Sequence, residues 1–185
     1  MTRPIVLDAS AGVPLVRAEP ESARWRAITA RWLHEGRPIV VPVHFWLELG
    51  NTLVRRHRFS SAAVLEALHV LDDVVTETVE VSRPTLLLAI DRAERFGLSV
   101  YDAAYLALAE VLDAELATMD RALELAAGPR LVQPADHRRR LFEADAPYGS
   151  PNRVTWPDYA GAASYLAALR ARLKRTEPRR ATEAP

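Results

Sequence analysis

The chain of 185 residues contains no cysteine, which excludes disulfides and every thiolate metal site. Histidine is sparse, five in all, and no two stand at a ligand spacing such as H-x-x-x-H, so any metal site has to be built from oxygen. Long apolar runs are missing as well. No stretch approaches the ~18 apolar residues that a membrane span needs. The N-terminal "IVL" stops at Asp8, too short and too soon charged for a secretory signal. The expectation is a cytoplasmic protein with no membrane partner. Lysine occurs once, as Lys174, a bias that points to no function.

What is present is a globular composition, 49% hydrophobic and 26% charged, with material for a real core. The net charge of zero hides an asymmetry. Residues 1–137 hold 14 basic against 19 acidic side chains, and residues 138–185 hold 10 against 5. An acidic body with a basic tail bears on partners rather than on fold.

Short β-branched runs alternate with helical patterns. Strands are expected at 4–8, 37–42, 74–81, 114–120 and 130–134. Helices are expected over 19–36, 44–57, 60–73, 82–97, 97–110 and "RALELAAG", several opened by serine caps and closed by glycine. Such alternation predicts a mainly parallel sheet with helices on both faces. After Pro134 the pattern becomes loop-like. One further helix is expected over 158–175 and a disordered end after it. The division is a core at about 1–135 and an appended helical segment over 136–185.

Four carboxylates fall where an open α/β sheet collects ligands, outside the carboxyl ends of its strands. Asp8 ends the first strand, Asp120 ends a later one, Asp102 lies in the first turn of a helix, and Glu48 lies on the helix after the second strand. Crowded carboxylates raise one another's pKa unless a cation sits among them. Oxygen ligands suit Mg²⁺ or Mn²⁺, which can activate water and steady charge on a phosphoryl group. Ser10, Thr118 and Asn51 stand close in sequence and can support these groups by hydrogen bonding. Each acid also has a structural explanation. Asp102 completes a capping box with Ser99, Asp120 can cap the next helix, and Glu48 lies on a polar stripe with His44, Asn51 and Thr52. Asp8, followed by "ASAG", carries no strong capping signature.

The segments "IVLDASAGVPLV", "VPVHFWLELGNTLVRR", "GLSVYDAAYLALAE" and "AELATMDRAL" occur in an order that resembles PIN-domain proteins, and among these the VapC-type toxin ribonucleases. The resemblance covers about 1–135. It implies a PIN-like α/β/α sandwich and a Mg²⁺- or Mn²⁺-dependent endoribonuclease. Asp8, Glu48, Asp102 and Asp120 would be the metal-binding and catalytic set, supported by Ser10, Asn51 and Thr118. It also implies an RNA substrate, a cognate antitoxin of a type II toxin–antitoxin pair, and a homodimer. A catalytically silent PIN-like binding or dimerisation module is the alternative, and retention of all four acids argues against it. A phosphoacceptor receiver would want paired acids after the first strand and a late lysine within the core. A haloacid-dehalogenase-type phosphatase would want D-x-D where this chain has Ser10.

The basic tail departs from the family pattern. Arg138–Arg140 and the "RARLKR" end of the last helix could meet RNA phosphates, but a solvated helix face is the preferred reading. His44 is expected to face solvent or a partner. Trp25, Trp32 and Trp46 are expected in the core or at a dimer contact.

Overall fold

The computed structural model describes residues 2–132; the expected helix over 158–175, the basic tail and the chain end lie outside them. Four strands, β1 (Ile5–Leu7), β2 (Ile39–Pro42), β3 (Glu77–Val79) and β4 (Glu115–Ala117), form one sheet in the order β3-β2-β1-β4. All the neighbours run parallel. β1 and β2 are apolar without alternation, and every residue in them is buried, as expected for strands covered on both faces.

The helices are α1 (Ala9–Val16), α2 (Ser22–His34), α3 (His44–Arg55), α4 (Ser61–Asp72), α5 (Arg83–Phe96), α6 (Val100–Val111) and α7 (Arg121–Ala127). α6 packs directly on β1, β2 and β4, while α1 gathers α2, α3 and α4 around itself. The result is a layered α/β/α fold. The core runs from β1 and β2 into Trp25, Trp32, Phe45, Leu49, Leu53 and Leu71. Trp25 and Trp32 meet edge to face in that core, as their spacing predicts. Trp46 is half-buried, with its ring against Phe45 and its Nε1 donating to Thr78 Oγ1. The serine caps are in place: Ser60, Ser82 and Ser99 each accept a backbone N–H from the first turn of their helix.

α5 and α6 form a hairpin through Gly97, whose φ of 65° allows the left-handed turn that closes α5. A small alanine-rich core of Ala89, Ala93, Ala103, Ala104 and Ala107 lets the two helices approach closely. Arg92 forks onto both carboxylate oxygens of Glu110 across the pair.

The structure corrects the sequence reading in three places. The segment after Asp8, for which no element was expected, is a helix, α1. The third strand spans three residues, not eight. The expected last strand over 130–134 reduces, among the described residues, to Leu131 bridging Leu116, after a 3-10 turn at Gly128–Arg130.

Candidate active site: an acidic cleft at the sheet's switch point

β1 has β2 on one side and β4 on the other, so the strand order reverses between β1 and β4. A crevice opens at such a point, beyond the carboxyl ends of the strands. The register sets its first two members. Leu7 pairs with Ala117, so the next residues on each strand, Asp8 and Thr118, stand side by side, and the Asp8 N–H donates to the Ala117 carbonyl at 2.9 Å.

Asp8 is 4% exposed, yet it is richly held. Its Oδ2 accepts from Thr118 Oγ1 at 2.7 Å, from the Ser10 hydroxyl, and from the Ser10 N–H at 3.3 Å. The last of these makes Asp8 the N-cap of α1, contrary to the sequence expectation. Ser10 Oγ also accepts from the Met119 N–H at 2.8 Å, and Thr118 Oγ1 accepts from the Asp120 N–H at 3.0 Å. Ser10 and Thr118 therefore fasten the β4–α7 turn to the start of α1, with Asp8 between.

The other three acids arrive from separate elements. Asp120 caps α7, its Oδ1 accepting the Leu123 N–H at 2.9 Å. Asp102 forms a reciprocal pair with Ser99 at the head of α6: its N–H donates to Ser99 Oγ at 3.1 Å, and the Ser99 hydroxyl donates to its Oδ2 at 2.7 Å. Glu48, on α3, accepts at Oε2 from the Tyr105 hydroxyl at 2.6 Å. All four line one cleft of about 500 Å³, together with Ser10, Asn51, Thr52, Arg56 and His57.

A common pattern emerges. Each carboxylate commits one oxygen to a fold-building hydrogen bond: Oδ2 of Asp8, Oε2 of Glu48, Oδ2 of Asp102 and Oδ1 of Asp120. The second oxygen of each accepts no hydrogen bond among the described residues, and none of these four is sealed from solvent. Four unbonded carboxylate oxygens thus border a single cleft.

The electrostatics follow. Burial pushes the Asp8 carboxyl up; the Ser10 and Thr118 bonds oppose the shift, and the Asp102 charge adds to it. Burial also raises Glu48 against the Tyr105 bond, and the charges of Asp8 and Asp102 push the same way. Both shifts describe anions that want a counter-charge. The donor set fits a hard divalent cation in type, being carboxylate oxygen throughout. No three acidic or histidine side chains among the described residues close around one point as an ion's shell. The fit is therefore one of donor chemistry and repulsion.

Two residues depart from their expected roles. Asn51 lines the cleft one helical turn beyond Glu48 but makes no side-chain hydrogen bond among the described residues, so it does not brace Glu48. His44 is half-buried rather than fully at the surface: its ring is set edge-on against Tyr105 at 4.8 Å and Tyr101 at 6.1 Å, and its Nε2 is shut off without a partner among the described residues. Burial lowers its pKa. Tyr105 is the contributor that sequence reading missed. It is fully buried, and burial and the Glu48 bond hold its phenol protonated as a fixed donor. Its signal was available, since Tyr105 follows Asp102 by three residues and shares its helix face.

This architecture, a parallel α/β sheet with acids from four elements at its switch point, is that of a small α/β domain with a polar ligand cleft. The sequence model of the PIN domain matches residues 5–129, and the chain belongs to that family. No curated protein shows significant similarity to it in sequence. Among solved structures, PAE2754 from Pyrobaculum aerophilum is similar with a TM-score of 0.53 at 23% identity, over 78% of this chain and 98% of that one. VapC20 of Mycobacterium tuberculosis, described as a Sarcin-Ricin loop cleaving toxin, gives 0.52 at 21%, over 66% and 94%. FitAcB from Neisseria gonorrhoeae gives 0.51 at 16%, over 71% and 98%. At these identities the likeness is one of fold.

Proposed function

We propose that this PIN-domain protein is a Mg²⁺- or Mn²⁺-dependent endoribonuclease and the toxin of a type II toxin–antitoxin pair. The observation that carries the catalytic reading is the set of four carboxylates at one cleft, each anchored by one oxygen and open at the other. A divalent cation bound there supplies an activated water and offsets charge on the phosphoryl group. The chain's own residues prepare that chemistry. Asp8 is fixed by Ser10 and Thr118, so its free oxygen is aimed before anything binds. Tyr105 orients Glu48, Ser99 orients Asp102, and the head of α7 orients Asp120. Pre-set donors cost little reorganisation when charge develops.

The toxin assignment draws on family membership and on the description of VapC20 as a toxin. It brings with it a cognate antitoxin that occupies the cleft. Homodimerisation is part of the same reading, and α5 offers an apolar surface for it in Leu86, Leu87 and Ile90, all exposed. The domain division at about residue 135 and a cytoplasmic location belong to the proposal too. Among the described residues no helix is long and apolar enough to cross a membrane.

The test is cleavage of total RNA by the purified protein with Mg²⁺, with Mn²⁺ and with EDTA, beside Asp8→Asn and Asp102→Asn. Metal-dependent cutting lost in both folded variants is the expected result. Cutting that survives both substitutions would place the chemistry elsewhere. A wild type free of antitoxin that cuts no RNA class would leave the silent binding module as the better reading.

A further inference from the structure

The cleft is not uniformly acidic, and its polarity runs along one helix. Glu48, Asn51, Thr52 and Arg56 all line it from α3 and its C-cap. Their spacing of three, four and eight residues keeps them on one side of the helix. Read from Glu48, that wall passes from carboxylate to amide to hydroxyl to guanidinium. Eight residues of helix rise cover about 12 Å, the scale of a dinucleotide step or two.

The basic end carries a free charge. Arg56 is exposed and makes no ion pair or side-chain hydrogen bond among the described residues. The one acid lining that end among the described residues, Glu19, is already matched, since Arg17 Nη1 lies 2.5 Å from its Oε1, and His57 Nε2 lies 3.8 Å from the same atom. Among the described residues Arg56 is therefore a guanidinium at the cleft with no anion to meet. It also stands at the C-cap of α3, where helix carbonyls favour a cation.

We propose that Asn51, Thr52 and Arg56 form a phosphodiester-binding subsite for single-stranded RNA, so that the substrate strand lies along α3 with one phosphate at Arg56 and the scissile one at the acids. This inference rests on the nuclease reading and adds the phosphate contact at Arg56 and the path of the strand along α3. The cleft size suits one strand: about 500 Å³ is a small-ligand volume, with room inside for a splayed nucleotide or two. The lining supports backbone recognition. Apart from His57, packed against Glu19, the described residues that line it include no aromatic ring, so among them bases find no stacking platform. Guanidinium, hydroxyl and amide donors instead meet phosphate and sugar oxygens. Without such a cation the acids would repel the neighbouring phosphates of the strand they are meant to cut.

The experiment uses the full chain, so that the basic tail contributes equally to every arm. Binding of a short labelled single-stranded RNA is measured against salt for wild type, Arg56→Gln, Arg56→Lys and the remote control Arg83→Gln, with cleavage followed in parallel. Arg56→Gln is expected to weaken binding about ten-fold at low salt and to flatten the salt dependence by about 0.7 in log–log slope. It should raise KM while kcat changes less than about two-fold, since the residue positions substrate away from the reacting atoms. Arg56→Lys should recover part of the affinity, and Arg83→Gln should match wild type. A wild type that cuts RNA beside an Arg56→Gln variant of equal affinity and salt slope would overturn the subsite and leave the nuclease reading intact. Duplex RNA bound as tightly as single strands would overturn the single-strand path. A wild type that neither binds nor cuts RNA would remove the nuclease reading, and the subsite with it.

Discussion

For Glu48 the division between a bonded and an open oxygen depends on a single hydroxyl, that of Tyr105, 57 residues away in sequence. Removing it in Tyr105→Phe keeps the buried ring and takes away the donor. A hydrogen bond to a charged group contributes about 1.5–3 kcal/mol, less here because Glu48 is only half-buried. The fold should therefore survive. The carboxylate would lose its orientation, and supporting bonds of this kind typically matter about 10–100-fold in metal affinity or activity. The half-saturating Mn²⁺ concentration for RNA cleavage is expected to rise on that scale, with the melting temperature little changed. An unchanged metal requirement would show that Glu48 needs no holding. At this scale the sequence was informative about the acids and silent about their supports. Asp102 and Asp120 sit at helix starts and Asp8 at a strand end, places legible from local pattern. Tyr105 lies in an apolar run and reads as core, which it also is; its partner is fixed only by tertiary packing. Arg56 has no local signal in the sequence, and only the folded cleft singles it out.

Among the elements, α1 was the least legible, for a reason visible in its composition. Gly12 and Pro14 fall inside eight residues, and both disfavour an isolated helix by about 1 and about 3 kcal/mol. Tertiary contacts override the propensity: all residues of α1 but Ser10 are buried, and Asp8 supplies the cap. Gly12 is required by closeness rather than by backbone angle. A Cβ there would lie 3.0 and 3.1 Å from ring carbons of Phe45, which is itself fully buried and has nowhere to move. Gly12→Ala gains helix propensity but overpacks the α1–α3 contact, an effect of about 1–3 kcal/mol. The net expectation is a loss of about 1 kcal/mol in urea unfolding; a stabilised variant would mean that the contact is looser than described. The opposite sign is expected where α3 ends. Arg58 holds a φ of 58°, in the left-handed turn that follows α3, and the Phe59 N–H returns to the Leu53 carbonyl at 3.0 Å. That position favours glycine, so Arg58→Gly should stabilise by about 0.5–1 kcal/mol. A destabilised Arg58→Gly would reveal an arginine contact worth more than the left-handed strain. Helices with serine caps and glycine stops were legible because their signals are local. The shortened β3 was not, because strand length depends on which neighbour is there to pair.

Across the whole molecule, the fold gathers like charges at its switch point and holds them there before any counter-ion arrives. Asp8 is buried with its carboxyl pushed upward, and Glu48 is pushed the same way by burial and by its acidic neighbours. Such a site makes the metal-free protein less stable than its packing would allow. Two consequences follow in opposite directions. A cation that binds only the folded state stabilises by about 2.7 kcal/mol at a hundred times its Kd, which for a chain of this size is a rise of about 5–10 °C in Tm. Asp8→Asn should remove that rise while leaving the protein in EDTA as stable as wild type or more so. Asparagine still caps α1 and can accept the Ser10 and Thr118 hydroxyls, yet it places no buried charge beside Asp102. Thermal melts of both proteins in EDTA, Mg²⁺ and Mn²⁺ separate the possibilities. An Asp8→Asn variant that melts well below wild type in EDTA would make Asp8 chiefly a structural cap whose charge is already well solvated. A wild type indifferent to either ion would mean that the carboxylates tolerate one another unaided, and that the cleft binds no divalent cation until substrate completes it. The expected pattern, a metal-dependent rise confined to the wild type, would tie the like-charge repulsion in the cleft to the chemistry proposed for it.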